Sequence, residues 1–289
     1  MSGMSLLGLR RPRRRGRHKV VVTTGATSGI GLATAVELAR RGFDSVATYR
    51  TDEGRSRLAE AARAAGVVVD ALRLEVTDAP ACEAVLAEAA ARHGALDALV
   101  NNAGFGLQGA VEDTSDEEAR ALLETMVIAP IRLARLALPH LREAGGGRIV
   151  NVSSIYGRAT TPLSGWYQGA KHALEAVTDA LRAEVGGEGV QVVLVEPGGM
   201  RTGIWDDQDV ASPSARYETA YGRTRRALEL ASPLMRDPAV CGRLIADVLE
   251  ARTVRARYLV GPDAYLAAAV LPFTPPALKD RVARAVLGL

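Results

Sequence analysis

The 289-residue chain is poor in aromatics, poor in cysteine and without a long apolar run. Aromatic residues make up only 4% of it, so Ala, Leu and Val must supply most of the core from the 48% of residues that are hydrophobic. That is material for one large α/β domain or two small ones. No apolar run reaches the roughly 20 residues of a membrane-spanning helix, so integral membrane contact is not expected. The two cysteines, Cys82 and Cys241, make no disulfide framework, and such sparse use fits a reducing cytoplasm. Acid is missing from residues 1–19, which hold seven Arg or Lys, so the other 270 residues carry a net charge of −4 against +3 for the whole chain. Residues 1–18 lack apolar periodicity and a signal-peptide segment. They are expected to form a disordered basic arm, solvated rather than bound to nucleic acid or lipid. No metal site is expected.

What is present begins at Lys19. Residues 19–24 are a short β-branched run, the pattern of a buried first strand. Thr24-Gly25-Ala26-Thr27-Ser28-Gly29-Ile30-Gly31 follows and opens a helix. Strand, glycine turn and helix form the context in which such a turn holds a pyrophosphate. Glycines let the backbone come close, and the helix N-terminus offers free N–H groups and a positive dipole end. Further strands fall at 45–50, within 67–76, and at 96–100, 147–153 and 190–196, with helices at 52–65, 77–93, 115–141 and 165–185. The third of these helices opens on a capping signal, Ser115 to Glu118, and is expected to end at Pro139 and the glycines 145–147. This alternation implies a doubly wound parallel sheet of Rossmann type. Over 203–233 the pattern weakens, which reads as a mobile substrate lid. A helix at 238–251, an edge strand at 257–260 and an Ala/Leu-rich extension at 263–289 complete one domain, 19–289.

The chemistry is concentrated in Trp166-Tyr167-Gln168-Gly169-Ala170-Lys171, the start of a helix. Tyr167 and Lys171 are four residues apart and share one helix face. An ammonium beside a phenol favours the phenolate, so Tyr167 reads as a general acid/base whose pKa Lys171 pulls down. Ser154, past the end of an apolar strand, would aim a hydroxyl at the same place. A Tyr-x-x-x-Lys pair recurs by chance in many helices. Its weight comes from order: the glycine turn, then Asn101-Asn102-Ala103-Gly104, then the pair, then Pro197-Gly198.

In that order of landmarks, from Lys19 to Thr202, the chain resembles the short-chain dehydrogenase/reductase family, classical type. Its tail is nearest in pattern to hydroxysteroid- and retinol-dehydrogenase-like members. The resemblance implies interconversion of an alcohol and a carbonyl by hydride transfer, with Ser154, Tyr167 and Lys171 catalytic. It implies a nicotinamide cofactor held by Gly25, Thr27, Ser28, Gly29, Ile30 and Gly31, by Glu75 and Val76, by Asn102, Ala103 and Gly104, by Tyr167 and Lys171, and by Pro197, Gly198 and Thr202. It also implies a homodimer or homotetramer. An acid that would hold the adenosine ribose and repel a 2′-phosphate is missing at Tyr49, and Arg50 follows with a forked, permanent cation. This favours NADP(H) over NAD(H). Leu107, Tyr156, Trp166, Met200 and Trp205 suggest an apolar pocket for a small hydrophobic alcohol or ketone.

One residue departs from the family. Met126 stands at the position of the catalytic asparagine, and a thioether cannot replace an amide's hydrogen bonds. Two readings follow: an active reductase, or a nucleotide-binding protein of the same fold with lost or altered redox activity. Pro130 bears on the choice. It has no N–H for the carbonyl of residue 126, so the helix should kink there and leave that oxygen for a water.

Overall fold

The apolar runs become seven strands: β1 (Val20–Thr23), β2 (Asp44–Tyr49), β3 (Asp70–Arg73), β4 (Ala98–Asn101), β5 (Gly147–Val152), β6 (Val190–Pro197) and β7 (Arg257–Val260). They lie in one sheet in the order β3-β2-β1-β4-β5-β6-β7, and each pairing is parallel. β1 is flanked on both sides, with Val22 opposite Val46 of β2 and Leu99 of β4. The order reverses between β1 and β4, so a crevice opens beyond the carboxyl ends of these strands. The structure, a computed structural model, describes residues 18–204 and 212–289. The basic arm up to residue 17 and Trp205 lie outside the described residues.

Successive side chains on a strand point to opposite faces, and each face receives its own helices. Val20, Val22, Leu99, Ile149 and Val192 pack against α3 (Ala79–His93) and α5 (Ala129–Glu143) through Val85, Leu86, Leu133, Ala137 and Leu141. Val21, Val100, Val150 and Val193 pack against α1 (Gly29–Arg40) and α8 (Ala239–Glu250) through Leu38, Ile245 and Leu249. Small residues compensate for the scarcity of aromatics by letting elements approach. α8 lies so close to α1 that a Cβ on Gly242 would stand 2.8 Å from the Ala33 carbonyl carbon. α2 (Asp52–Ala64) covers the β2 side with Leu58, and Cys82 and Cys241 are buried, unpaired core residues.

The helix expected over 115–141 is three segments. α4 (Asp116–Leu123) starts on Ser115 with a full capping box to Glu118. A π-helical stretch, Glu124–Ile128, follows, with the Ala129 N–H reaching back five residues to the Glu124 carbonyl. α5 then runs on to Glu143, through Pro139. The expected stop at Pro139 is therefore corrected. Pro139 is on the solvent side of α5, where the carbonyl it leaves unpaired can be hydrated, and the break comes at Gly145 and Gly146, both at positive φ (85° and 112°).

The C-terminal third is more helical than its pattern foretells. α6 (Gly165–Val185) leads into β6, and inside the weakly patterned 203–233 segment lies α7 (Glu218–Ala231). The tail forms α9 (Pro262–Val270) and α10 (Pro276–Leu287). Arg223 of α7 donates to the Ala285 and Val286 carbonyls near the end of α10. Helices as short as these owe their stability to such contacts more than to their own propensity.

Candidate active site

The glycine turn is shaped by what crowds it. A Cβ on Gly25, at φ +61°, would stand 2.7 Å from the Ala103 Cα. At Gly31 it would meet the Gly25 oxygen at 2.3 Å and the Asn102 Nδ2 at 2.4 Å. No side chain fits at either place. Asn102 holds the turn from below, donating to the carbonyls of Thr24 (3.1 Å) and Gly25 (3.0 Å), while the Thr24 hydroxyl accepts from the N–H groups of Asn102 and Ala103. The Asn-Asn-Ala-Gly segment thus braces the turn as well as the central strands. Its first member, Asn101, donates to Asn151 of β5 and to the Pro130 carbonyl.

Above this turn lies a cleft of about 640 Å³. Gly25, Thr27, Ser28, Gly29, Ile30, Arg50, Glu75, Val76, Asn102, Ala103, Gly104, Met126, Ser154, Tyr167, Lys171, Pro197, Gly198 and Thr202 line it. Gly31 does not line it; its part is to let the turn close. Leu107 is likewise set back, in an apolar cluster with Leu122, Met126, Tyr167 and Ala170, against which Trp166 packs. Tyr156 and Met200 reach the cleft.

The residues present fit a dinucleotide. Ser28, the N-cap of α1, makes no side-chain cap, and the first turn of the helix holds no acid. The leading N–H groups and the positive dipole end therefore face the cleft without an internal anion. Thr202 stands over the same end, 2.9 Å from where a Gly29 Cβ would be. At the far end, Arg50 is joined by Arg57, which sequence reading missed. Its signal was its place on α2, less than two turns from the start of that helix. Arg50 has 75% of its side chain exposed and meets Glu75 only at 3.9 Å, while Arg55 stacks over the Tyr49 ring. Glu75 is turned mainly toward Thr77, whose hydroxyl donates to it at 3.1 Å. An exposed pair of that length contributes little, so two guanidiniums stand ready for an anion.

Asp263, at the start of α9, was also missed. Its carboxylate accepts from the Gly199 N–H at 2.6 Å and pins the turn after β6, where a Cβ on Gly198 would collide with it at 2.1 Å. Leu228 of α7, Met235 and Ala267 of α9 complete the mouth. The sequence gives no periodic signal that folds these back over the strands.

Tyr167 and Lys171 stack on the first turns of α6. The entry to that helix is fixed twice. Gln168 and Thr161 exchange two hydrogen bonds of 2.8 Å, and Leu163 is buried at φ +65°, in a left-handed conformation that costs about 1–2 kcal/mol. The Tyr167 ring meets Tyr156 edge-on at 6.2 Å, and the Lys171 Nζ lies 5.8 Å from its centroid while donating to the Val152 carbonyl at 3.0 Å. Burial, the largest influence, pushes the Tyr167 phenol well above its usual range; its hydrogen bond with Ser154 works against this. The lowering expected from Lys171 is not what the phenol shows, because a site closed enough to hold the pair also desolvates a phenolate. Burial likewise lowers the Lys171 ammonium to about 8. Met126 packs its thioether under Gly104, with its Cε 3.1 Å from where a Gly104 Cβ would be. What it retains for chemistry is its backbone carbonyl, whose partner in α-helical register would be the absent N–H of Pro130.

Comparison with known proteins agrees with this geometry. The sequence matches the short chain dehydrogenase family over residues 19–211. It is 33% identical over 251 residues to the uncharacterized oxidoreductase YusZ of Bacillus subtilis, covering 84% of this chain and 89% of that protein. A solved short-chain dehydrogenase from Streptomyces avermitilis superposes with a TM-score of 0.79 at 33% identity, covering 92% of this chain and 97% of that one. A structure of actinorhodin polyketide ketoreductase with NADPH superposes with a TM-score of 0.72 at 30% identity, covering 86% and 97%. A glycine turn at the sheet's switch point, the Ser154–Tyr167–Lys171 group in one cleft and a match spanning most of the chain lead to one conclusion: the chain belongs to the short-chain dehydrogenase family of oxidoreductases.

Proposed function

We propose that the protein is an NADP(H)-dependent reductase that interconverts a ketone and an alcohol on a hydrophobic small molecule. The observation that carries this reading is a buried tyrosine, held protonated by its surroundings, in the same cleft as an uncapped helix N-terminus. When bound, the nicotinamide supplies the hydride. A carbonyl that gains a hydride must also gain a proton, and Tyr167 holds one at its phenol oxygen. The Ser154 hydroxyl, which hydrogen-bonds that phenol, orients the carbonyl oxygen toward it. The Lys171 ammonium then stabilises the phenolate left behind. Apolar walls from Tyr156, Met200, Ile204 and Leu228 exclude water and suit an apolar substrate. The NADPH-bound ketoreductase among the relatives is consistent with this direction of reaction.

The cofactor preference rests on Arg50 and Arg57. Losing a charge-assisted bond to phosphate costs about 1.5–3 kcal/mol, so Arg50→Ala and Arg57→Ala should each weaken NADPH binding about ten- to a hundred-fold. NADH binding should hardly change. Fluorescence titration of both cofactors decides the matter, and equal losses for the two would remove the preference.

Pro130 supports activity despite Met126. Pro130→Ala restores an N–H facing the Met126 carbonyl and should draw the π-helical stretch toward α-helix. If a water on that carbonyl reprotonates Tyr167 by way of Lys171, turnover should fall about tenfold while cofactor affinity stays unchanged. Normal turnover by the variant would end the relay idea and give weight to the altered-function reading.

A further inference from the structure

Lys171 continues along α6 into a group of charges that the proposed mechanism leaves unused. Tyr167, Lys171 and Glu175 follow one another at four-residue intervals on one helix face, all more than 90% buried. A buried ammonium bonded to a neutral carbonyl is costly without an anion nearby, and Glu175 is the carboxylate that acts on Lys171. Glu175 is itself held in place. Arg257 of β7 donates to its Oε2 at 3.0 Å, and the same guanidinium reaches Glu196 of β6 at 3.2 Å and Asp179 one turn further along α6. Glu196, wholly buried, is in turn clasped by both nitrogens of the Arg158 fork. Ser153, just after β5, faces the remaining Glu175 oxygen, and Gly157 leaves room for the two: a Cβ there would stand 2.9 Å from the serine oxygen and 3.2 Å from Oε1. Arg257 lies beyond the stretch that matches the family, residues 19–211.

We propose that Glu175 is a positioning residue that keeps Lys171 charged in its dry pocket, and that Arg257, reaching in from the edge strand, holds Glu175 in the orientation to do so. The groups facing Glu175 are Lys171 and Asp179 on α6, Ser153 after β5, Glu196 on β6 and Arg257 on β7. Burial raises the Glu175 carboxyl; Ser153 and Arg257 oppose that rise and Glu196 adds to it. Arg257 thus both orients the carboxylate and favours its ionised form. The benefit to catalysis rests on the function proposed above, since a neutral Lys171 could not stabilise a phenolate. The charge itself can be read without catalysis.

The sequence contains three lysines, Lys19, Lys171 and Lys279. In protein labelled with ¹³C at the lysine ε-carbon, the signal lost in Lys171→Arg identifies Lys171 among three. Its titration midpoint, which burial is expected to lower to about 8 in the wild type, should fall by about 1 pH unit or more in Glu175→Gln. Lys19 and Lys279 should not move. Glu175→Asp, which keeps the charge, should recover most of the shift. Glu175→Met removes the charge with an apolar chain of similar length and serves if the amide is not accepted among these carboxylates. In NADPH turnover the alkaline limb of the rate profile should move to lower pH by the same amount. An unchanged Lys171 midpoint in a folded Glu175→Gln or Glu175→Met protein overturns the proposal. A midpoint that falls in a protein with no reductase activity on any ketone sustains it and overturns only the functional reading.

Discussion

Tyr167→Phe is expected to lower turnover about 10²- to 10⁴-fold, the span attributed to a positioned proton donor, which is about 3–5 kcal/mol of barrier. The substitution removes one oxygen and leaves the ring. The edge-on contact with Tyr156 and the packing against Leu107, Leu122 and Met126 survive, so the fold should too. Cofactor should bind within about threefold of wild type, because the ring was not what held it. Lys171→Ala should impair both turnover and cofactor binding. Single-turnover measurement with a ketone that the wild type reduces, beside a cofactor titration, separates the two. A Tyr167→Phe rate within tenfold of wild type would remove the proton donor from the mechanism and leave Ser154 as the candidate.

The second large effect is expected from a residue that does not reach the cleft. Gly31→Ala places a methyl group 2.3 Å from the Gly25 carbonyl oxygen and 2.4 Å from the Asn102 amide nitrogen. Neither neighbour can yield easily, since one is backbone and the other already holds two backbone carbonyls. The turn must open. Overpacking of this kind costs about 1–3 kcal/mol, and at about 1.4 kcal/mol per tenfold the same distortion should weaken both NADPH and NADH roughly ten- to a hundred-fold. Gly29→Ala is the control. Its φ of +51° carries a backbone cost, but its Cβ meets the Thr202 Cβ at 2.9 Å, a milder clash than the 2.3 and 2.4 Å contacts at Gly31. Gly31→Ala should therefore be the worse of the two for cofactor affinity. Wild-type affinity in Gly31→Ala would mean that the turn tolerates displacement and that the pyrophosphate is held elsewhere.

Local pattern and chain order were enough to place most of the sheet, the glycine turn, the capping box at Ser115 and the full extent of α6. These features depend on periodicity, on missing side chains and on caps, all of which are written within a few residues. The family resemblance carried Ser154, Tyr167 and Lys171 into one cleft, and the structure places them there. Pro139 misled because a proline's effect depends on which face of the helix it occupies, and that face is chosen by packing. Arg57, Asp263 and Leu228 escaped notice because each joins the cleft through a fold-back that no local pattern records. The Tyr167 phenol shows the same division in electrostatics. Its spacing from Lys171 predicts a lowered pKa, yet burial raises it, since desolvation is set by everything around a group and four-residue spacing reports only one neighbour. The Glu175–Arg257 contact joins residues 82 positions apart. Sequence alone determined which groups the chain has for the chemistry; tertiary structure decided which of them are dry, which are paired and therefore what charge each can hold.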